Sequence, residues 1–363
     1  MGALSRKMDD LYDASIDYTV RKKGENQCIG FVASFIDDRY APGGERLLEP
    51  AAALLGELIC DPVTSHGRFV PEYFESEKTN LLEAIRSLVN DKRDWADSRL
   101  LRTMCTGEPY SIPRLGDEET VDKLQALRLY DQYRDLITTA PLEIIYSGSA
   151  ELDRVRQALA AAFATLPREE VRTIADAVPH VCRESVQTVE DEMEVTQGKL
   201  SMGFSCGSSD MPALLMGNTL FGGSSNSKLF LNVREKLSLC YYASSLYHRQ
   251  KGLITVSSGI EFQNYQKAYD EIMAQLEAVQ KGQLEDWELE GARSTLLNSY
   301  ATIGDSQGKL ENFYLGQAAT GRSETPEELA QAVADMTAER ICRAMETVRL
   351  DTVYFLKGKE AEA

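Results

Sequence analysis

Few side chains in this 363-residue sequence are spaced for metal-dependent chemistry. It contains three histidines, His66, His180 and His248, and none has a second histidine one helical turn away, the spacing that places two zinc ligands on one helical face. Isolated histidines usually occupy surface positions or hydrogen-bonded core positions. The sequence therefore predicts neither a bound metal nor a cofactor.

Two short motifs resemble catalytic or nucleotide-binding motifs, but each lacks the further residues that such a site requires. Ser225 and Lys228 fit S-x-x-K, in which a lysine activates a serine nucleophile, but S-D-N and K-T-G motifs are absent from the sequence. The neighbouring Gly222 and Gly223 lack the G-K-[ST] ending of a phosphate loop. Neither a serine hydrolase nor a nucleotide site is predicted, and a plain turn explains the glycines.

The charge balance excludes two classes of partner. With 57 acidic and 39 basic side chains the formal charge is -18, so phosphate backbones and anionic lipids would be repelled. An acidic stretch between residues 75 and 94 has interleaved basic residues, which favours a solvated helix face over a cation site. We predict no nucleic-acid partner and no membrane association.

Cysteine usage indicates the compartment. The seven cysteines are an odd number without a C-x-x-C pair, in a chain large enough to fold without disulfides, and the first residues include charges where a secretory signal needs an apolar stretch. The sequence therefore predicts a cytoplasmic protein with reduced thiols.

The elements recur in two similar halves. The first half predicts a strand at 28–36, a helix from about 47 to 58, a second helix around Lys78 and a closing strand at 142–148. The second half repeats this order with a strand at 253–260, a helix from 265, a helix around Arg293 and a closing strand at 353–358. Thr325, followed by Pro326, predicts a helix start before the last strand. The sequence therefore predicts a duplicated α+β unit.

The repeat also gives domain limits. We predict a first domain at 1–170, a linker at 171–184 and a second domain at 185–363, each domain a mostly antiparallel sheet with helices on one face. The second domain has about 70 residues before its strand at 253–260, whereas the first has about 30 before the matching strand. We therefore expect the first domain to lack about 40 residues at its front.

One stretch resembles a known family. Residues 218–245 contain Gly222 and Gly223 in a glycine-rich turn and then the pattern R-E-K-x-x-L-x-Y, whose first and last residues are Arg234 and Tyr241. This stretch is similar to the second half of the pitrilysin, insulinase and mitochondrial processing peptidase family of zinc metallopeptidases. The resemblance extends over essentially the whole chain and implies the processing-peptidase-like α+β fold.

The departures from that family concern its metal. Its enzymes carry H-x-x-E-H on a helix near the front of the first domain and a glutamate ligand on a later helix. The first motif is absent from this sequence, and the later ligand position corresponds to Ala84. Because a methyl group cannot coordinate zinc, the resemblance implies a homologue that is not an enzyme by itself.

The resemblance also implies a partner. Several family members work as heterodimers in which one subunit carries zinc and the other has lost it. In such partners the arginine and tyrosine reach the active site, which assigns peptide binding to Arg234 and Tyr241. Spacing alone favours an ion pair of Arg234 with Glu235 or Glu190 and a core position for Tyr241, and the resemblance reverses that preference.

Three further expectations follow. Gly222 and Gly223 could let an extended peptide approach the backbone, although a helix-entry turn explains them equally well. The strand at 200–206 could offer a sheet edge to peptide. Missing strands would leave apolar surface exposed, which predicts a homodimer or association. The competing function is a structural or assembly protein with no role in peptide cleavage.

Overall fold

Two compact units make up the part of the chain that the computed structural model describes, residues 2–174 and 178–359. The first unit contains residues 2–86 and 114–174, and the second contains 87–113 and 178–359. The second unit therefore includes a segment from the middle of the predicted first domain. The predicted boundaries at 170 and 185 remain a prediction, and residues 175–177 of the predicted linker lie outside the described residues.

The helices and strands follow one another in chain order. They are α1 (Gly2–Asp9), β1 (Ser15–Lys23), β2 (Asn26–Ser34), α2 (Leu48–Cys60), β3 (Thr64–Ser65), β4 (Arg68–Phe69), α3 (Pro71–Ser87), α4 (Lys92–Met104), α5 (Glu118–Asp122), α6 (Ala126–Thr139), α7 (Leu152–Ala162), β5 (Gln187–Met193), β6 (Gly198–Cys206), α8 (Met211–Asn218), β7 (Cys240–His248), β8 (Leu253–Ile260), α9 (Tyr265–Gln280), α10 (Asp286–Ala301), α11 (Gln307–Ala318), α12 (Pro326–Ala334), α13 (Ala338–Met345) and β9 (Val348–Gly358).

Short ribbons and helix pairs build the first unit. Strands β1 and β2 form an antiparallel hairpin whose tight turn contains Gly24 at φ +60°, a conformation that glycine adopts without steric cost. Strands β3 and β4 form a second ribbon. Helices α2 and α7 pack through Leu48, Ala52, Val155 and Ala158. The antiparallel pairing expected in this region is thus present as two-stranded ribbons.

The predicted strand at 142–148 is wrong. In the described residues this segment is neither helix nor strand, and Leu142 and Ile144 are exposed. A strand requires a neighbouring backbone to complete its hydrogen bonds, and β1 and β2 pair with each other. The apolar pattern of this segment does not by itself supply the paired backbone that a strand needs.

A five-stranded sheet organises the second unit. Its strand order is β5-β9-β6-β8-β7, in which β5 and β9 are parallel and the other neighbours are antiparallel. Strand β6 lies at the centre and is buried almost throughout. The mostly antiparallel α+β architecture predicted from the sequence is confirmed here.

Strand β6 alternates large and small residues. Leu200, Met202 and Phe204 belong to the main hydrophobic core, together with residues of α8, α9 and α13. The intervening Ser201 and Gly203 point to the other side, because successive side chains in a strand alternate between faces. One face of the sheet therefore packs against the main core, and the small residues leave room for another layer on the opposite face.

Helix α4 covers the second face. Its Ala96 and Leu100 pack with Tyr354 and Leu356 of β9. A Cβ on Gly203 would lie only 2.5 Å from the Met104 sulfur, so the glycine makes room for the end of this helix. The sheet therefore carries helices on both faces, because α4 adds a layer that the repeat pattern did not predict.

Elements with strong local signals are confirmed. The strand at 253–260 is β8, the helix from 265 is α9, and Thr325 caps α12 in a reciprocal hydrogen-bonded box with Glu328. No helix in the described ranges combines the length and the apolar character needed to span a membrane.

Candidate functional site

The glycine-rich turn and the R-E-K-x-x-L-x-Y pattern form a continuous structure in the second unit. Helix α8 continues into a π-helical turn, Thr219–Gly223, and a second π-helical segment runs over Leu229–Lys236. Ser238 has a left-handed backbone (φ +49°), and the Leu239 N–H donates to the Val233 carbonyl at 3.0 Å. The chain thereby reverses into β7, so both ends of the pattern lie at one turn. Wide helical turns of this kind are frequent at functional sites.

Arg234 lies on the last turn before this reversal. Its Nε donates to the main-chain carbonyl of Tyr241 at 3.0 Å, and its Nη1 lies 3.1 Å from Glu235 Oε1. The guanidinium stacks over the Phe230 ring at 4.7 Å. The ion pair with Glu235 considered from the sequence is present. The side chain nevertheless stays 40% exposed, and a guanidinium has five N–H donors, more than these two contacts use.

Tyr241 is not a core tyrosine, because 59% of it is exposed. Its hydroxyl donates to the Glu261 carboxylate, and this hydrogen bond raises the pKa of the phenol. A phenol that stays protonated remains a donor. The two residues that the resemblance pairs are therefore connected through the Tyr241 backbone and are both open to solvent.

A bulge presents Tyr241. The register between β7 and β8 shifts between Cys240 and Tyr242, which leaves Tyr241 as the extra residue. Bulges re-aim a side chain and are common next to active sites. Strand β7 ends the sheet of the described residues, whereas the strand at 200–206 is the central β6. The prediction that residues 200–206 offer an edge is wrong, because β8 and β9 already pair with both sides of that strand.

The two glycines lie in a packed turn. A Cβ on Gly222 would lie 2.7 Å from both Leu229 Cδ1 and Ser245 Oγ, and 2.8 Å from the Ser245 main-chain nitrogen. A Cβ on Gly223 would lie 2.8 Å from Asn218 Nδ2. The absence of side chains here lets the turn approach β7 within the unit. Peptide contact by these glycines remains a prediction.

The S-x-x-K motif has a structural explanation. Lys228 is buried, and its Nζ lies 2.9 Å from both carboxylate oxygens of Glu288 at the start of α10. Ser225 is exposed. An ammonium held between two carboxylate oxygens is placed for an ion pair that ties the two segments together, rather than for activating Ser225.

Ala84 is the residue that the resemblance assigns to the third zinc position, and it lies in the first unit. Ala84 lies on α3 and is exposed. A methyl group offers no lone pair to a metal.

The three histidines have distinct environments. His66 is exposed in the turn between β3 and β4, and His248 lies between the Tyr110 hydroxyl and Thr255 Oγ1, each at 2.9 Å. Burial lowers the pKa of His248 to about 4.

His180 is buried beside Cys105 and Glu108, with ligand atoms of the three within 4.8 Å of one another. The sequence analysis missed this cluster, for which only the C-x-x-E spacing was a local signal.

Comparisons with known proteins agree on one family. The family model described as the peptidase M16 inactive domain matches residues 123–296. A Bacillus subtilis (strain 168) protein named probable inactive metalloprotease YmfF is 34% identical over 359 residues, which are 97% of this chain and 83% of that protein. The uncharacterized zinc protease YmxG of the same organism is 21% identical, over 86% of this chain and 76% of its own length.

Solved structures give the same fold. A conserved protein from Enterococcus faecalis V583 is similar with a TM-score of 0.85 and 27% identity, over 99% of this chain and 85% of that chain. A peptidase M16 inactive domain from Pseudomonas fluorescens has a TM-score of 0.77 and 16% identity, over 100% of this chain and 85% of its own. The processing-peptidase-like fold is thereby confirmed.

Replacing Gly222 by alanine tests the packed turn. We expect Gly222→Ala to lower the free energy of unfolding by about 1 to 3 kcal/mol, because the new methyl would overlap Leu229 and the Ser245 backbone. The measurement is urea denaturation. Gly304→Ala is the matched control, since a Cβ there meets no atom within 4 Å and should leave stability nearly unchanged. Equal midpoints for the two variants would contradict the packing role.

His248 should make stability depend on pH. The unfolded chain binds the histidine proton near the ordinary pKa of 6.5, whereas the folded chain binds it only near pH 4. The unfolded state therefore holds more protons between these values, and the free energy of unfolding should fall by up to about 3 kcal/mol as pH is lowered through that range. His248→Gln should flatten this slope in denaturation curves, and His66→Gln should not. Identical slopes in all three proteins would refute the assignment.

Proposed function

The chain belongs to the M16 peptidase family as a non-catalytic member, and from that membership we propose that it is the inactive subunit of a heteromeric zinc peptidase. In this proposal a zinc-bearing subunit of the same family supplies the metal and the attacking water. This chain binds the peptide substrate and supplies Arg234 and Tyr241 to the partner's active site. The name of the relative YmfF, a probable inactive metalloprotease, supports the non-catalytic half of the proposal.

One observation carries the proposal: two hydrogen-bond donors stay exposed at one turn. Arg234 and Tyr241 occupy the ends of a reversal that a left-handed residue and a bulge both help to build. A tyrosine that served only packing would be buried, and Tyr241 is not. Both side chains can therefore meet a ligand that comes from outside the unit.

The chemistry of these groups suits peptide hydrolysis. When zinc-bound water attacks a peptide carbonyl, negative charge develops on the carbonyl oxygen, and positioned donors stabilise it. The Arg234 guanidinium brings a fixed positive charge. The Tyr241 phenol brings an O–H that must leave Glu261 to donate to substrate, so Glu261 holds the ring in place until peptide arrives.

The glycines take an indirect part in this proposal. Gly222 and Gly223 allow the turn between α8 and the second π-helical segment to pack closely, which fixes the segment that contains Arg234. Their contribution to substrate binding is then through the position of Arg234. We also infer a cytoplasmic complex, which the seven free cysteines support.

A reconstituted complex tests the assigned residues. We expect the chain alone to cleave no peptide, and its complex with a zinc-bearing family member of the same organism to cleave a quenched-fluorescence peptide until a chelator is added. Arg234→Ala and Tyr241→Phe should each lower the rate of the complex by about 10²- to 10³-fold, the usual effect of removing one donor to the oxyanion. Partner affinity should be unchanged.

Two control variants distinguish the loss of a hydrogen-bond donor at the site from a general loss of stability. Arg343→Ala removes an exposed arginine from α13, and Tyr314→Phe removes an exposed hydroxyl from α11. Both should leave the rate unchanged. Chelator-sensitive cleavage by the chain alone would refute the non-catalytic assignment. A complex that forms but whose rate ignores both site variants would instead favour the structural or assembly function.

Self-association is a second property to test. The hairpin of the first unit exposes Tyr18, Ile29 and Phe31 on one face, since Tyr18 pairs with Phe31 and successive side chains alternate. We propose that a homodimer covers this face, and expect sedimentation to show a concentration-dependent dimer that Phe31→Ser weakens. Val63→Ser, at another exposed apolar position, is the control. A monomer at every concentration would contradict this.

A further inference from the structure

Two distant segments of the second unit meet at a cluster of metal-binding side chains. Cys105 follows α4, and Gly107 in a left-handed conformation (φ +87°) turns the chain so that the Glu108 N–H donates to the Cys105 carbonyl at 2.9 Å. His180 arrives from the other side, held by its main-chain N–H on the Lys251 carbonyl at 3.1 Å. One ligand atom from each of Cys105, Glu108 and His180 lies within 4.8 Å of the other two.

The ring of His180 faces a carboxylate at each nitrogen. Its Nδ1 lies 2.6 Å from Glu108 Oε1, and its Nε2 lies 3.2 Å from Asp351 Oδ2. A neutral imidazole has one N–H, so it can donate to only one of the two. The other nitrogen then presents a lone pair to a carboxylate oxygen, and a positive charge between them would stabilise that contact.

Asp351 can hold the imidazole proton when the other ring nitrogen binds a metal ion. It is fully buried, and Oδ2 also accepts the Arg183 N–H at 2.8 Å while Oδ1 accepts the Thr352 hydroxyl at 2.7 Å. A carboxylate that holds one imidazole N–H leaves the other nitrogen of the ring as a metal ligand, an arrangement common around bound zinc. This geometry directs the Nδ1 lone pair of His180 at Glu108.

The thiol adds a third donor to this cluster. Cys105 is completely buried, and a single metal ion could contact one ligand atom each of Cys105, Glu108 and His180, because these atoms all lie within 4.8 Å of one another. Lys251 lies 2.5 Å from Glu108 Oε2, so it occupies one carboxylate oxygen and leaves Oε1 on the side of the ring. A sulfur, a nitrogen and an oxygen donor suit zinc rather than magnesium or calcium.

We propose that Cys105, Glu108 and His180 bind a zinc-class divalent transition-metal ion, with Asp351 as the carboxylate that orients His180. The ion would join the end of α4 to the segment at 180 and, through Asp351, to β9. Its role in this arrangement is to stabilise the second unit. The site is distinct from the position of Ala84 and uses none of the residues assigned to peptide binding.

Cobalt provides the first readout. The purified full-length chain, stripped with chelator and dialysed, is titrated with Co²⁺ and separately with Zn²⁺. We expect one ion per chain by elemental analysis and a thiolate-to-cobalt charge-transfer band. Cys105→Ser should abolish the band, and Asp351→Asn should weaken metal affinity by about 10- to 100-fold. Zn²⁺ should raise the melting temperature of the wild type and not that of Cys105→Ser.

Controls make each outcome decisive. Cys240→Ser replaces another buried thiol of the same unit and should keep the band. If Cys105→Ser does not fold by circular dichroism, Glu108→Gln serves instead, and its metal affinity should fall. A wild-type chain that holds no stoichiometric ion, or a band that survives in Cys105→Ser, would overturn the proposal. Peptidase assays do not enter this test, so its failure leaves the proposed function unaffected.

Discussion

The alternation of large and small side chains along β6 is the constraint on which the second unit depends. Leu200, Met202 and Phe204 fill the core beneath one face, while Ser201 and Gly203 leave room on the other. Larger residues there would hold α4 away from the sheet, because packed interiors tolerate little overlap. The position of α4 in turn sets the place of Cys105 and Glu108, which directly follow its last turn. The contact of Ser201 Oγ with Asp97 at 2.6 Å fixes the helix further.

The sequence predicts an element correctly where the residues that begin and end it lie within that element or next to it. Strand β8, helix α9 and the capped start of α12 at Thr325 follow from periodicity and capping, which act within a few residues. The strand predicted at 142–148 is wrong because a strand depends on a distant partner for its hydrogen bonds. Residues 92–104, which form α4, fall within the domain predicted at 1–170, because chain order is the only guide that the sequence offers. Its true neighbour is a sheet whose strands begin almost a hundred residues later.

The same distinction explains the two sites. Arg234 and Tyr241 lie within one turn of chain, so a motif read from sequence already contains their proximity, although not the bulge that exposes the phenol. Cys105, Glu108 and His180 could not be grouped in this way. Glu108 and His180 are 72 positions apart and meet only when the segment before β5 lies against the end of α4. Separation of this size leaves no periodic trace in a sequence.

The placement of β9 between β5 and β6 has a consequence for synthesis of the protein. Strand β9 is the last strand of the described chain. It nevertheless lies between two earlier strands and pairs with both β5 and β6. While the ribosome is still translating, β6 can pair with β8, but β5 must wait until residue 358 has emerged. Until β9 has been made, the nascent unit has an open edge on β6 beside apolar residues. Such edges attract foreign strands. The addition of β9 between β5 and β6 is therefore the step that closes this edge.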